Sequence, residues 1–308
     1  MALPSAATAL GVALLSSAVV VSGLYSRDQG HLDGSNFVMG VLATLALIGM
    51  SVAARVALPD AENRAGLVSW PGALGAVGAG LMLGVLINKD DASTYATALV
   101  ILALSIGGYL PTRAAPFLVS GLAGLALLYA KVFGDLFDVG GSGSNGFMLV
   151  GAGIWVFVVA VTAAGWWLPD TRSMVGVVVG IGGLVAMTID LVVLSIGRVL
   201  ERVFSSRGGE LFGLGHPGHH DPYRNDVYVV LTLCFLLAVL WAGCAAATGH
   251  LGFRLLVLAT AVVIVPVSTV AVMTHHPTWW EVVPTVLGGV VLLGVGSLPA
   301  RSYAGPHE

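Results

Sequence analysis

The stretch SMVGVVVGIGGLVAMTIDLVVLSI, which runs from Ser173 to Ile196, determines the fold of this protein. It contains one ionisable side chain, Asp190, and it is longer than the roughly 20 apolar residues that cross a bilayer as an α-helix. Similar apolar stretches follow one another along the 308 residues and leave almost no chain for a soluble domain. The sequence therefore predicts an all-α polytopic membrane protein, a bundle of about ten transmembrane helices joined by short loops.

The composition supports this fold class and narrows the expected partners. Hydrophobic residues make up 57% of the chain and charged residues 9%, whereas about 25% of the residues in a soluble domain are charged. This balance excludes a soluble protein and a disordered one. The net charge is -3 and no cluster of basic residues occurs, so nucleic acid is not an expected partner. We expect the lipid bilayer and other membrane proteins as partners.

Apolar runs bounded by charged, glycine or proline residues mark the predicted helices. The first run is as long as a spanning helix, and no basic residue precedes it as in a signal peptide, so we interpret it as a transmembrane helix. The fourth run is short for a bilayer. The predicted helices are Ala6–Tyr25, Asn36–Ala54, Trp70–Asn88, Thr94–Leu110, Ala115–Val132, Phe147–Trp167, Ser173–Ile196, Val227–Ala247, Leu251–Met273 and Trp279–Leu298.

Two polar segments interrupt the series of short loops. The sequence DVGGSGSNGF, from Asp138 to Phe147, has the composition of a flexible linker. We predict a single transmembrane domain over residues 1–308, or alternatively two halves, 1–138 and 147–308, joined by this linker. The segment from Arg198 to Asp226 is the longest polar loop, and its first part, RVLERVF, could extend the seventh helix or lie in the membrane interface.

Leu-Pro pairs followed by arginine recur near the ends of even-numbered helices, in ALPDAENR, YLPTR, WLPDTR and SLPAR. Proline is expected to stop each helix there. Arginines also recur in the short loops on the side that holds both termini, which predicts that both termini are cytoplasmic. Arginine outnumbers lysine, and alanine, glycine and valine are abundant, as in proteins from high-GC bacteria. We therefore expect a multi-pass protein of a bacterial plasma membrane.

Two further patterns predict structure rather than function. Small residues at four-residue spacing in the third helix indicate close helix packing; they are Gly72, Ala76, Gly80 and Gly84. Lys131 and Asp135 are four residues apart on one face of the fifth helix and are expected to form a salt bridge near the interface.

Asp190 is the candidate residue for coupling to a substrate or an ion. An ionisable side chain at membrane depth is costly and is a functional residue by default. Burial favours the uncharged form of a carboxyl group, so Asp190 could be a proton or cation site that is neutral at rest. The alternative is a structural pair with an arginine or with a serine or threonine hydroxyl group.

The sequence HPGHHDPYRND, from His216 to Asp226, contains an HxxHH arrangement formed by His216, His219 and His220. It resembles one histidine box of the membrane di-iron desaturases and hydroxylases, although the other boxes of those enzymes do not occur. Histidine and carboxylate ligands suit a transition metal. The predicted topology places His275 and His276 on the same membrane side, so these five histidines are candidate ligands. A solvated polar loop without metal is the alternative interpretation.

Three functions fit these features. The first is a transporter or permease that moves a small or amphiphilic solute, by analogy with the size and layout of drug/metabolite-type carriers. The second is a non-catalytic membrane subunit of a larger complex. The third is a membrane-embedded, metal-dependent enzyme that acts on a lipid-like substrate. We favour the first, and we expect neither catalysis nor a cofactor unless the histidines bind a metal.

Overall fold

The structure, a computed structural model, describes residues 2–28, 31–57, 61–87, 90–137, 146–167, 172–212 and 224–272. Nine α-helices lie within these ranges. They are α1 (Ala2–Tyr25), α2 (Gly34–Ala57), α3 (Ala61–Ile87), α4 (Asp90–Thr112), α5 (Ala115–Phe137), α6 (Gly146–Gly165), α7 (Arg172–Phe212), α8 (Arg224–Thr248) and α9 (Leu251–Val272).

The all-helical membrane architecture is confirmed. Helices α1 to α8 are each long and apolar enough to cross a membrane, while the apolar segment of α9, Leu251–Val267, is shorter. Large apolar side chains lie exposed on the outer faces of these helices. Examples are Ile189 in α7 and Leu258 and Val262 in α9, which are 57%, 60% and 71% exposed. Such surfaces suit lipid rather than water. The tenth predicted helix, Trp279–Leu298, lies outside the described residues.

The chain divides into two compact units. The first comprises Met1–Gly141 and Phe157–Val179, and the second comprises Ser142–Val156 and Gly180–Glu308. Both α6 and α7 therefore contribute one segment to each unit. In the first unit, α3 is the central helix, because it packs against α1, α2, α4 and α5.

Small residues give α3 its close contacts with its neighbours. A Cβ atom on Gly80 would lie 2.5 Å from Cγ1 of Ile101 in α4, and one on Gly72 would lie 2.7 Å from Oγ of Ser51 in α2. A Cβ on Gly84 would collide with Thr97, and Ala76 is 3% exposed. The predicted role of these positions in helix packing is confirmed.

Hydroxyl groups also link the helices of the first unit. Ser51 in α2 donates a hydrogen bond of 2.6 Å to the carbonyl oxygen of Val68 in α3. The hydroxyl groups of Ser105 in α4 and Ser120 in α5 lie 2.7 Å apart and are buried. Because hydrocarbon offers no competing partner, such bonds fix the rotation of one helix against the next.

The turn between α1 and α2 is held by a short β-pairing and a helix cap. Strand β1 (Arg27–Asp28) pairs antiparallel with β2 (His31–Leu32). Asp33 then caps α2, since its Oδ1 accepts hydrogen bonds from the hydroxyl and N–H of Ser35 at 2.8 and 3.0 Å. The bond from the Ser35 hydroxyl contributes most to lowering the pKa of Asp33 below the ordinary value of 3.8.

The expectation that Leu-Pro pairs stop the helices is wrong for YLPTR. Helix α4 includes Pro111 and ends at Thr112. The helix ends because Arg113 takes a left-handed backbone conformation with φ of 48°, while its N–H donates to the carbonyl oxygen of Tyr109 at 2.7 Å. Proline is tolerated in this last turn, although it lacks one N–H donor. At ALPDAENR, α2 does end at Ala57, before the Leu-Pro pair.

Two other sequence predictions are confirmed. Nζ of Lys131 lies 2.5 Å from Oδ1 of Asp135, and the hydroxyl of Tyr95 donates to Oδ2 of Asp135 at 2.8 Å. The segment RVLERVF extends the seventh helix, because α7 continues to Phe212. At about 1.5 Å per residue, α7 is far longer than the roughly 30 Å hydrocarbon core of a bilayer, so its C-terminal part extends beyond the membrane.

Candidate functional site

Asp190 lies on the buried face of α7, within the apolar segment Ser173–Gly197. Its side chain is 6% exposed, and Met187, Leu191 and Leu194 on the same face are at most 1% exposed. Seven residues separate Asp190 from Gly197, the end of the segment, which corresponds to a depth of about 10 Å along the helix. The carboxyl group is therefore buried among the helices, about two helical turns before the end of the apolar segment.

Gly151 of α6 brings three helices together at this carboxyl group. A Cβ atom on Gly151 would lie 3.3 Å from Oδ2 of Asp190 in α7 and 3.0 Å from Cγ2 of Val230 in α8. The next nearest atom is Cδ1 of Leu233, at 3.8 Å. Because residue 151 has no side chain, the Asp190 carboxyl reaches the backbone of α6 and is bordered by hydrocarbon from α8.

A second buried carboxyl group, that of Asp226, lies in the first turn of α8. It is 2% exposed and shares the buried face of α8 with Val230 and Cys234, which are 0% and 2% exposed. The backbone N–H of Met148 donates a hydrogen bond to the Asp226 carboxyl. Met148 is the third residue of α6, where a helix has N–H groups without intrahelical acceptors. Asp226 therefore lies at the N-termini of two helices, both of which attract negative charge.

Among the residues that the structure describes, neither Asp190 nor Asp226 has a hydrogen-bond partner for its buried Oδ2 atom. Asp190 borders Gly151 and Asp226 contacts Met148, three residues earlier in α6, so the two carboxyl groups lie about one helical turn apart along α6 and their negative charges repel each other. The basic side chains of His250 and Arg254 follow the opposite end of α8 from Asp226 and are exposed. The arrangement can therefore bind a proton or a cation, because either would relieve the repulsion.

Trp155 adds a hydrogen-bond donor to the same face of α6. It follows Gly151 by four residues, and its Nε1 atom is buried without a hydrogen-bond partner within the described part of the chain. Helical side chains lean towards the N-terminus, so the indole ring leans towards Gly151. The ring offers an N–H group and an aromatic face on the side of α6 that borders Asp190.

The predicted metal ligands cannot be placed. His216, His219, His220, His275 and His276 lie outside the described residues. Within the described ranges, no group of three or more histidine, cysteine, aspartate or glutamate side chains could hold a metal ion. The metal hypothesis therefore stays a prediction from the sequence.

Comparison with protein-family models, with curated protein sequences and with solved structures finds no match to this chain. The functional interpretation therefore depends on the site itself.

The sequence pattern identifies Asp190 as a candidate residue but not Asp226, which it assigns to the end of the longest polar loop. The missed signal is its spacing along α8. Asp226 precedes Val230 and Cys234 by four and eight residues, and this spacing places all three on one helical face. Because Val230 and Cys234 are apolar, the spacing indicates that Asp226 is buried as well.

Proposed function

We propose that this protein is an integral membrane transporter in which Asp190 and Asp226 form the site that couples solute movement to an ion. The observation that supports this most directly is the burial of two neighbouring acids in apolar helices, each with an oxygen that has no hydrogen-bond partner in the described part of the chain. Asp190 lies within one apolar segment and Asp226 is the first residue of another, and buried acids in apolar segments are expensive and rare unless they serve a pathway or a relay.

The alternative of a structural role for Asp190 has little support in its surroundings. A structural pair would require an arginine or a hydroxyl group beside the carboxyl. The two nearest hydroxyl groups along α7 are used elsewhere, because Thr188 donates to the carbonyl oxygen of Leu184 and Ser195 to that of Leu191, both at 2.7 Å. An acid that serves only packing would not leave a buried oxygen unsatisfied.

In the proposed mechanism, occupancy of the carboxyl pair determines which conformations the bundle can adopt. With no ion bound, the two acids repel each other, and moving them through hydrocarbon is unfavourable. Binding of one positive charge removes most of this cost and permits the change of access. The solute is a small or amphiphilic molecule, because almost the whole chain is membrane helix. From the arginine distribution, we place the protein in a bacterial plasma membrane with both termini in the cytoplasm.

The test is transport by the purified full-length chain in proteoliposomes. The probes are radiolabelled tetraphenylphosphonium, alanine, succinate and glucose, which represent cationic, zwitterionic, anionic and neutral solutes. We expect uptake of at least one probe and a loss of about tenfold or more in Asp190→Asn, the loss expected when a contact to a charged group worth about 1.5–3 kcal/mol disappears.

The matched control is Asp135→Asn, which removes the same charge from a half-exposed salt bridge and should leave uptake unchanged. Uptake of none of the four probes, or equal uptake by the protein with and without Asp190, would contradict the proposal. A partner protein that co-purifies with the chain and is required for activity would favour the subunit hypothesis instead.

A further inference from the structure

The two carboxyl groups of the site differ in their surroundings. Asp226 receives the Met148 N–H and lies at the N-termini of α6 and α8. Both features favour a negative charge and act against the cost of burying the carboxyl group, which is 2% exposed. Asp190 is bordered instead by Gly151, by Val230 and, on the same face of α8, by the thiol of Cys234. None of these three described neighbours carries a positive charge.

The lining of the site suits a proton better than a metal cation. Hard cations take six or more oxygen ligands, or keep several waters. Oδ2 of Asp190 borders Gly151, and Cγ2 of Val230 and Cδ1 of Leu233 from α8 would lie 3.0 and 3.8 Å from a Cβ atom on the same glycine. The α7 hydroxyl groups of Thr188 and Ser195 are directed to their own backbone. A proton needs only one acceptor oxygen, and each carboxyl group has one that is free within the described chain.

We propose that Asp190 and Asp226 form a one-proton site, in which Asp190 binds and releases the proton while Asp226 stays a carboxylate that attracts it. In the loading step, a hydronium ion transfers its proton to Asp190: an O–H bond forms at the carboxylate, one O–H bond of hydronium breaks, water leaves, and the negative charge of the pair falls by one. Asp226 is a positioning residue, since it acts through Asp190. The site is assigned from the burial of both side chains, the two unpartnered Oδ2 atoms and the Met148 contact.

The charged and titratable groups around Asp190 are few. From α8 they are Asp226 and Cys234, and the described part of α6 contributes none. The apolar segment of α7 contains no other titratable residue. On α9 and the turn before it, Arg254 and His250 are exposed. Among these described groups, Asp226 is the charged neighbour that influences proton binding at Asp190.

This inference rests on the proposed function, because that function explains why the protein would bind a proton. Its test, however, needs no transported solute. The full-length protein in detergent is treated with dicyclohexylcarbodiimide over a range of pH, and the modified residue is identified by mass spectrometry of its peptides. The reagent reacts with a protonated carboxyl group in apolar surroundings: the acid proton passes to a carbodiimide nitrogen, and the carboxyl oxygen bonds to the central carbon. We expect label on Asp190, decreasing as the pH rises.

Two variants sharpen the test. Asp226→Asn retains an oxygen that accepts from Met148 but removes the neighbouring charge, so it should weaken proton binding at Asp190 by about tenfold. The half-exposed Asp135→Asn control should leave the labelling of Asp190 unchanged. Label on Asp226 instead of Asp190, no label on either residue, or protection by sodium at constant pH would overturn the proposal.

The outcome is separable from that of the transport assay. Label on Asp190 without uptake of any probe would leave the proton site intact and contradict the transporter. Uptake that depends on Asp190 without any label would support the transporter and overturn the one-proton site.

Discussion

Replacing Gly151 with alanine tests the convergence of α6, α7 and α8 at the buried carboxyl group. The added Cβ would lie 3.0 Å from Cγ2 of Val230 and 3.3 Å from Oδ2 of Asp190. Carbon atoms in good contact are about 3.5–4.0 Å apart, so the new methyl group must displace its neighbours. Overpacking of this kind costs about 1–3 kcal/mol, whereas the higher helix propensity of alanine returns about 1 kcal/mol.

The matched control is Gly182→Ala in α7, where a Cβ would have nothing within 4 Å. This variant gains the propensity contribution without the clash, so the two free energies of unfolding should differ by about 1–3 kcal/mol. Unfolding in mixed detergent micelles, followed by the helical circular dichroism signal, measures both. Because the Gly151 variant also pushes on Asp190, its carbodiimide labelling should fall. Equal stability of the two variants would refute the close approach of the three helices.

Three smaller changes test other parts of the structure. Ser105→Ala leaves the buried hydroxyl of Ser120 without its interhelical partner and should lower the free energy of unfolding by about 0.5–1.5 kcal/mol; no change would contradict that contact. Because the pKa of Asp33 is lowered in the folded protein, its carboxylate stabilises the fold above pH 3.8, and this stabilisation is lost as the pH falls further. The free energy of unfolding of Asp33→Asn, measured against pH, should not show this decrease at acidic pH. Cys234 and Cys244, 2% and 7% exposed, should resist a hydrophilic maleimide until the protein is denatured, and rapid labelling of the native protein would show that they are accessible.

The helices could be predicted from the sequence because the bilayer demands long apolar runs. Their ends were harder, as α3 and α4 show. Helix α3 begins at Ala61, nine residues before the apolar run that starts at Trp70, and α4 begins at Asp90 rather than Thr94. Polar residues can continue a helix outside the hydrocarbon at no cost, so hydropathy marks the membrane segment and not the helix terminus.

The candidate site was only half predictable, for a different physical reason. Asp190 can be identified from the sequence because the helix segment around it is apolar. An acid in such a segment is energetically unfavourable wherever the helix packs. Asp226 follows a polar segment, so its own surroundings in the sequence give no sign of burial. Its burial results from the packing of α8, and its contact with Met148 results from the position of the α6 N-terminus.

Whether a buried acid is structural or functional also depends on the packing of other helices and not on its own segment alone. From the sequence, Asp190 could equally have been a structural residue, because a partner on another helix would have satisfied it. The structure supplies another acid at Asp226 instead, together with hydrocarbon from Val230 and a glycine at position 151. A like charge at close range makes the ionised pair less stable than its protonated form. Proton binding is therefore the simplest way in which this arrangement becomes stable inside a membrane. A site that becomes stable by binding an ion is suited to coupling ion binding to solute movement.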